Sequence, residues 1–169
     1  MGLSQAFDLL QLRILICIGV AMILGAAIGF ERELVDKPAG LRTHILVAGA
    51  AAFFVSLGDV VIQQFSTELG GMLVRSDPVR VIEAVVTGVS FLGAGTIIVH
   101  RGGSSSTAGR VEGLTTAASI LFAAAVGVSV ALSQFTLAVG ATIMVLLTLR
   151  GLGFLQRRLA RQKRGQAQE

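Results

Sequence analysis

Charge is what this sequence has least of. Asp, Glu, Lys and Arg together make up 14% of its 169 residues, while 53% are hydrophobic. Soluble domains carry roughly a quarter charged residues and spread their apolar positions at helix or strand period. Here the charges are pooled, and none falls within residues 14–30, 43–58, 84–99 or 113–149. Such gaps are candidate transmembrane helices. They exclude a water-soluble enzyme with a separate catalytic domain, a disordered chain and a conventional nucleic-acid-binding module. Cysteine is nearly absent: Cys17 is single and sits inside an apolar run. No intramolecular disulfide can form, and a packed core thiol is expected. Proline occurs only as Pro38 and Pro78, both in polar connections where a missing N–H costs nothing.

Catalytic motifs are missing as well. The chain has no G-x-x-x-x-G-K-[ST] loop, no C-x-x-C, no H-E-x-x-H and no G-x-S-x-G turn. Two histidines and one cysteine cannot build a multi-histidine metal site within one chain. The expectation is a protein that is not an enzyme and has no resident cofactor, with Mg2+ the one ion kept in view and any metal ligands unknown.

What is present reads as an all-α, polytopic membrane bundle. Five spans can be placed, at residues 11–30, 41–62, 81–99, 114–132 and 135–154, each long enough for a hydrocarbon core of roughly 30 Å. They form one bundle over residues 1–154, followed by a basic tail at 155–169. The first run has no basic n-region, so it is read as an uncleaved span and not as a signal peptide. Ser133 and Gln134 are the only break between the last two spans, which requires a very tight hairpin. Of fourteen Lys and Arg residues, six lie from Arg150 to Arg164, as expected of a stop-transfer anchor on anionic lipid. Placing that tail in the cytoplasm puts eleven basic residues inside and only Arg13, Arg75 and Arg80 outside. The positive-inside rule then gives an N-terminus out and a C-terminus in. Membrane lipids are the expected surroundings, with no nucleic-acid partner.

The densest polar cluster lies in the first inner loop. Glu31, Arg32 and Glu33 stand where the first span ends, followed by Lys37, Pro38, Gly40, Arg42 and His44 at the start of the second. Two readings stay open. Opposite charges can pair across a stiff Pro38–Gly40 turn as an interfacial clamp. Alternatively, Glu31 and Glu33 supply oxygen ligands to a cation or proton site with His44 as a titratable neighbour. At the third span, Asp77 is placed to cap the helix with Pro78 at its first position. Glu83 follows Arg80 by three residues and shares its face, either as an interfacial pair or as part of an ion path. Gly88, Gly93 and Gly95 allow close helix packing, or mark a broken helix lining a cavity. Thr115, Thr116 and Ser119 open the fourth span with hydroxyls that can cap backbone or reach another helix.

These residues carry a likeness. Gly29-Phe30-Glu31-Arg32-Glu33, Lys37-Pro38-Ala39-Gly40-Leu41-Arg42-Thr43-His44, Asp77-Pro78-Val79-Arg80, Gly88 to Gly95 and Gly113-Leu114-Thr115-Thr116-Ala117-Ala118 resemble, in order, the successive motifs of the MgtC/SapB family. The resemblance runs to about Arg150. It implies a bacterial inner-membrane bundle of about five spans, linked to growth in low magnesium, acid stress, virulence and modulation of the F-type ATP synthase. Some members add a soluble cytoplasmic domain, and this chain is expected to be the short, SapB-like form. A homo-oligomer, a dimer for instance, is expected. Two departures stand out: Glu83, where the family has a small or apolar residue, and a Ser-rich insertion at residues 103–109. The competing readings are a regulatory protein acting through helix contacts, a small oligomeric transporter or channel for Mg2+ or protons, and a lipid- or ligand-binding bundle with an enclosed apolar cavity.

Overall fold

The computed structural model describes residues 3–68, 77–100 and 110–166. Within them the order is α1 (Leu3–Leu34), α2 (Leu41–Glu68), α3 (Pro78–Gly95), β1 (Ile98–His100), β2 (Arg110–Glu112), α4 (Leu114–Ala131) and α5 (Phe135–Gln166). Stretches at Asp8–Leu34, Leu41–Gln64 and Leu114–Ala131 are long and apolar enough to cross a membrane, and Phe135–Gly151 is a shorter apolar stretch. The result is an all-α membrane bundle with one small hairpin. The third helix departs from expectation. It ends at Gly95 instead of running to residue 99, because residues 98–100 are drawn into an antiparallel pairing that sets Ile98 against Glu112 and His100 against Arg110. The Ser-rich stretch 103–109 lies outside the described residues.

The connections are set by local backbone chemistry. α1 closes with Lys37 N–H donating to the Arg32 carbonyl and Asp36 N–H to that of Glu33, both at 3.1 Å. Asp36 holds the left-handed φ of 49°, so this is a Schellman close in which an aspartate occupies the position glycine usually takes. At the other hairpin, Ser133 adopts φ 60°, and Ser133 and Gln134 N–H donate to the carbonyls of Val130 and Ser129. Two residues beyond Leu132 are therefore enough to reverse the chain, as the charge-free run at 113–149 demanded.

α2 lies between α1 and α4, with which it makes the most extensive packing, while α3 and α5 pack on the flanks. The centre is built from small side chains: Ala21, Ala48, Ala51, Ala52, Ala123 and Ala124 are each at most 2% exposed. Small residues let helix backbones approach, which drives association where lipid is as apolar as the core. α2 and α4 come very close at Gly127, where an added Cβ would run into the Ala48 carbonyl oxygen. Cys17 is buried in this core. Large apolar groups such as Leu15, Ile23, Phe91 and Met144 point outward, the arrangement required of a surface solvated by acyl chains.

Candidate functional site

At the end of the bundle where α1 closes and α2 begins, the core stops being apolar. Glu31 and Arg32 are each 4% exposed, His44 0%, Thr116 1% and Ser119 2%. Such groups are costly inside a membrane protein unless they are paired. They come from three helices, and the contacts between them tie those helices together.

His44 is the pivot. Its Nδ1 lies 2.8 Å from the Gly40 carbonyl, one turn back on its own helix, and its Nε2 lies 3.0 Å from Ser119 Oγ on α4. The Ser119 hydroxyl donates in turn to the Thr116 carbonyl at 2.8 Å. Arg32 reaches α4 as well, through a long Nη2 to Thr116 Oγ1 hydrogen bond of 3.4 Å. Glu31 and Arg32 are sequence neighbours whose charged groups stand 4.0 Å apart, too far for a strong charge-assisted bond. Glu31 Oε2 and Arg32 Nε have no hydrogen-bond partner. The charged side chains that face His44 are Arg32 and Glu31, both from α1.

The two acidic residues of the loop are divided between different tasks. Two positions apart on a helix, Glu31 and Glu33 point to different sides, and only Glu31 turns inward. Glu33 crosses the turn and accepts from Leu41 N–H at 2.7 Å, placing a carboxylate at the positive end of α2. Gly40 permits this: a Cβ there would meet Glu33 Oε2 at 2.7 Å. Glu31 and Glu33 are therefore not brought together as ligands of one cation. Among the described residues no three His, Cys, Asp or Glu side chains are grouped to hold a metal. Arg42 and Lys37 are exposed and take no part in a charge clamp across the turn.

The other candidates lie elsewhere. Asp77 caps α3, with Val79 N–H donating to its Oδ1 at 3.0 Å. Arg80 and Glu83 are both exposed on α3 and remote from His44. α3 is continuous through Gly93 to Gly95, so no broken helix opens a cavity there. Gly93 alone packs closely, 3.4 Å from the Ala117 Cβ by the measure of an added side chain, whereas Gly88 and Gly95 face open space. An apolar groove of about 540 Å³ runs between α2 and α3, lined by residues such as Leu46, Ala50, Phe54, Val85 and Gly88. Thr116 reaches another helix, while Thr115 is exposed at the start of α4. The residue that loop-centred reasoning undervalued is Ser119. No local pattern marks its role, which rests on a contact with His44 75 residues away in sequence.

Comparison with known proteins identifies the family. Residues 18–158 match the MgtC family. The chain is 38% identical over 130 residues to the putative magnesium transporter YhiD of Escherichia coli K12, covering 77% of this chain and 56% of that protein. It is 41% identical over 127 residues to protein MgtC of Salmonella typhimurium 14028s, covering 75% and 46%. With protein SrpB of Synechococcus elongatus it shares 40% identity over 141 residues, covering 82% and 74%. The chain thus spans about half the length of YhiD and of MgtC. No solved structure matches it. A family match that covers residues 18–158, with relatives about two-fifths identical over three quarters or more of the chain, makes this protein a member of the MgtC family.

Proposed function

We propose that the protein is a non-enzymatic membrane regulator of magnesium- or acid-linked adaptation, and that the His44 cluster is its proton-sensitive element. The observation that carries this reading is the hydrogen-bond pattern around His44. Gly40 can only accept from Nδ1. Ser119 has one proton, with the Thr116 carbonyl and Nε2 both in reach of it. With that proton on the Thr116 carbonyl both ring nitrogens face acceptors, the partner set of the doubly protonated ring. A neutral ring keeps its Nδ1 proton on Gly40, so Ser119 has to turn its hydroxyl from Thr116 to Nε2 to restore the bond. Gain or loss of one proton therefore repartners the link between α2 and α4. The faces of Glu31 and Arg32 toward the ring make that step sensitive to their charge as well.

The centre of the protomer favours regulation over conduction. Along α2 the buried positions between His44 and Ser56 are Val47, Ala48, Gly49, Ala51, Ala52 and Val55. Twelve residues of helix are about 18 Å of dry, close-packed core. A hydrated path for Mg2+ would have to run between protomers instead. The name of YhiD, a putative magnesium transporter, connects the reading to magnesium. A membrane-protein partner, with the F-type ATP synthase among those the family resemblance implies, would be met in the bilayer.

Two measurements test this. In a strain lacking the gene, the native chain should restore growth at low magnesium or low pH, and His44→Gln should fail at equal protein level. Purified protein in liposomes should give no Mg2+ or proton flux above empty vesicles. Flux that scales with protein amount and vanishes in Glu31→Gln would replace regulation with transport.

A further inference from the structure

A second polar feature adjoins the cluster and is not used by it. A cavity of about 420 Å³ opens beside Arg32, between the closing turn of α1 and the first turn of α4. Its floor and its rim differ in kind. On the floor lie Arg32 and Thr116, which are almost fully buried. On the rim lie Asp36, Lys37, Pro38, Glu112, Leu114 and Thr115, all exposed.

The floor offers donors. α4 begins at Gly113, whose φ of 94° gives a left-handed start with no side-chain cap. The first backbone bond of the helix is Ala117 N–H to the Gly113 carbonyl, at 2.8 Å. The N–H groups of Leu114, Thr115 and Thr116 therefore have no intrahelical partner, and the positive end of the α4 dipole is added to them. Independently of the helix, Arg32 brings a guanidinium that is 96% buried, taking its 4% exposure, and whose Nε lacks a partner. Arginine in such a setting retains its charge and matches the geometry of phosphate oxygens. A cation would meet the charge of Arg32 and the positive end of α4 on this floor.

We propose that this cavity binds a phosphate group, held by Arg32 and the N-terminus of α4. The charge balance selects a singly charged one. Glu31 stands 4.0 Å from Arg32 and offsets part of its charge, and on the rim Lys37 stands against Asp36 and Glu112. The positive charge of the floor is therefore partial and suits one negative charge better than two. A lipid phosphodiester and a free phosphate offer the same chemistry at the floor. Leu114, 59% exposed on the rim, provides the apolar edge that a lipid headgroup would need. The site does not depend on His44 being proton-sensitive, and its test is a binding measurement.

The full chain, purified in maltoside detergent without added phosphate, is titrated with inorganic phosphate at constant ionic strength. In a second arm it is titrated with phosphatidylglycerol in mixed micelles. Unfolding is followed through labelling of Cys17, the single and buried thiol. A saturable rise in melting midpoint is expected in at least one arm, phosphate alone identifying a soluble ligand and phosphatidylglycerol alone a headgroup. Two variants at exposed positions keep the fold and move binding in opposite directions. Thr115→Glu places a carboxylate on the α4 donors, where it suits the helix dipole, and should abolish the response without lowering the unliganded midpoint. Asp36→Asn keeps a residue that tolerates the left-handed turn, removes a rim charge, and should tighten binding about threefold. Arg32→Gln should weaken it by roughly tenfold, the value of a charge-assisted bond. No response in either arm overturns the proposal. So does a response that Thr115→Glu leaves intact.

Discussion

Gly127→Ala is the most direct test of the seam on which the cluster depends. The added methyl group would strike the Ala48 carbonyl oxygen, with the Ala48 carbonyl carbon at 3.0 Å and Ala51 Cβ at 3.1 Å. Two of these atoms are backbone, so no side-chain rotation relieves the overlap, and α2 and α4 must part by about 1 Å. Overpacking of a tight core costs about 1–3 kcal/mol, and a backbone clash belongs at the upper end. Replacing glycine in a helix recovers about 1 kcal/mol. The net loss is about 2 kcal/mol, or roughly 4–8 °C in midpoint for a chain of this size. The sequence has no Trp and no Tyr, so intrinsic fluorescence reports little, but reaction of Cys17 with a thiol-reactive coumarin on heating reads out loss of the core directly. Gly88→Ala is the control. Nothing lies within 4 Å of a Cβ at that position, and its midpoint should hold or rise. If Gly127→Ala melts no lower than Gly88→Ala, the close approach of α2 and α4 is wrong, and with it the geometry that brings Ser119 to His44.

Other positions give independent readouts in the same labelling assay. His44→Ala removes a fully buried ring and its bonds to Gly40 and Ser119. At about 1 kcal/mol for each lost bond and a further 1–2 kcal/mol for the cavity, a loss of about 3–4 kcal/mol is expected, against about 2 kcal/mol for Ser119→Ala, which loses its bonds to His44 and to the Thr116 carbonyl. Equal effects would separate the two residues. Asp77→Ala should remove about 1 kcal/mol of capping from α3, seen as faster amide exchange at Val79 with little change near Ala48. Ser133 sits at φ 60° and accepts from Arg13 Nη2 at 2.8 Å. Ser133→Val should lower stability by about 1–2 kcal/mol because a branched side chain strains that backbone, while Ser133→Gly should stay within about 0.5 kcal/mol. A tolerated valine would argue against the tight α4–α5 reversal.

The helices and their punctuation were legible because they are written locally. Charge-free stretches mark the bundle, Asp77-Pro78 announces a helix start, and Ser133-Gln134 leaves room for nothing but a sharp turn. The rotation of each helix was not legible. In a soluble protein the apolar stripe of a helix shows which side is buried, but α1 is apolar all round because lipid and core make the same demand. Whether Glu31 or Glu33 faces inward therefore cannot be taken from the hydrophobic pattern. It follows from where Gly25 and Gly29 let α1 approach α2: added Cβ atoms there would meet His44 O at 2.6 Å and the Leu41 Cα at 2.8 Å. The His44–Ser119 contact spans 75 residues of sequence and has no local signature. The early end of α3 was hidden for a related reason. Residues 96–99 are as apolar as the span before them, and only their pairing with residues 111–112 distinguishes strand from helix.

Placing the polar cluster beside the start of α4 has a mechanical consequence. Along the α1–α2–α4 seam the backbones are in contact, so these helices have little freedom to slide. The start of α4 is different, because it is joined to both neighbours at once. Thr116 and Ser119 link it to Arg32 and His44, while Gly113 abuts the Thr96 carbonyl and Ala117 lies against Gly93 at the far end of α3. A change of partner at Ser119 therefore acts on the point where α3 is attached. α3 also has the fewest buried positions of the five helices among the described residues, Gly93 alone, and its Phe91 is 85% exposed. On the proposed reading, the glycine-rich helix is the element that would carry the state of the cluster to a partner in the membrane. The buried charges themselves need never reach the surface.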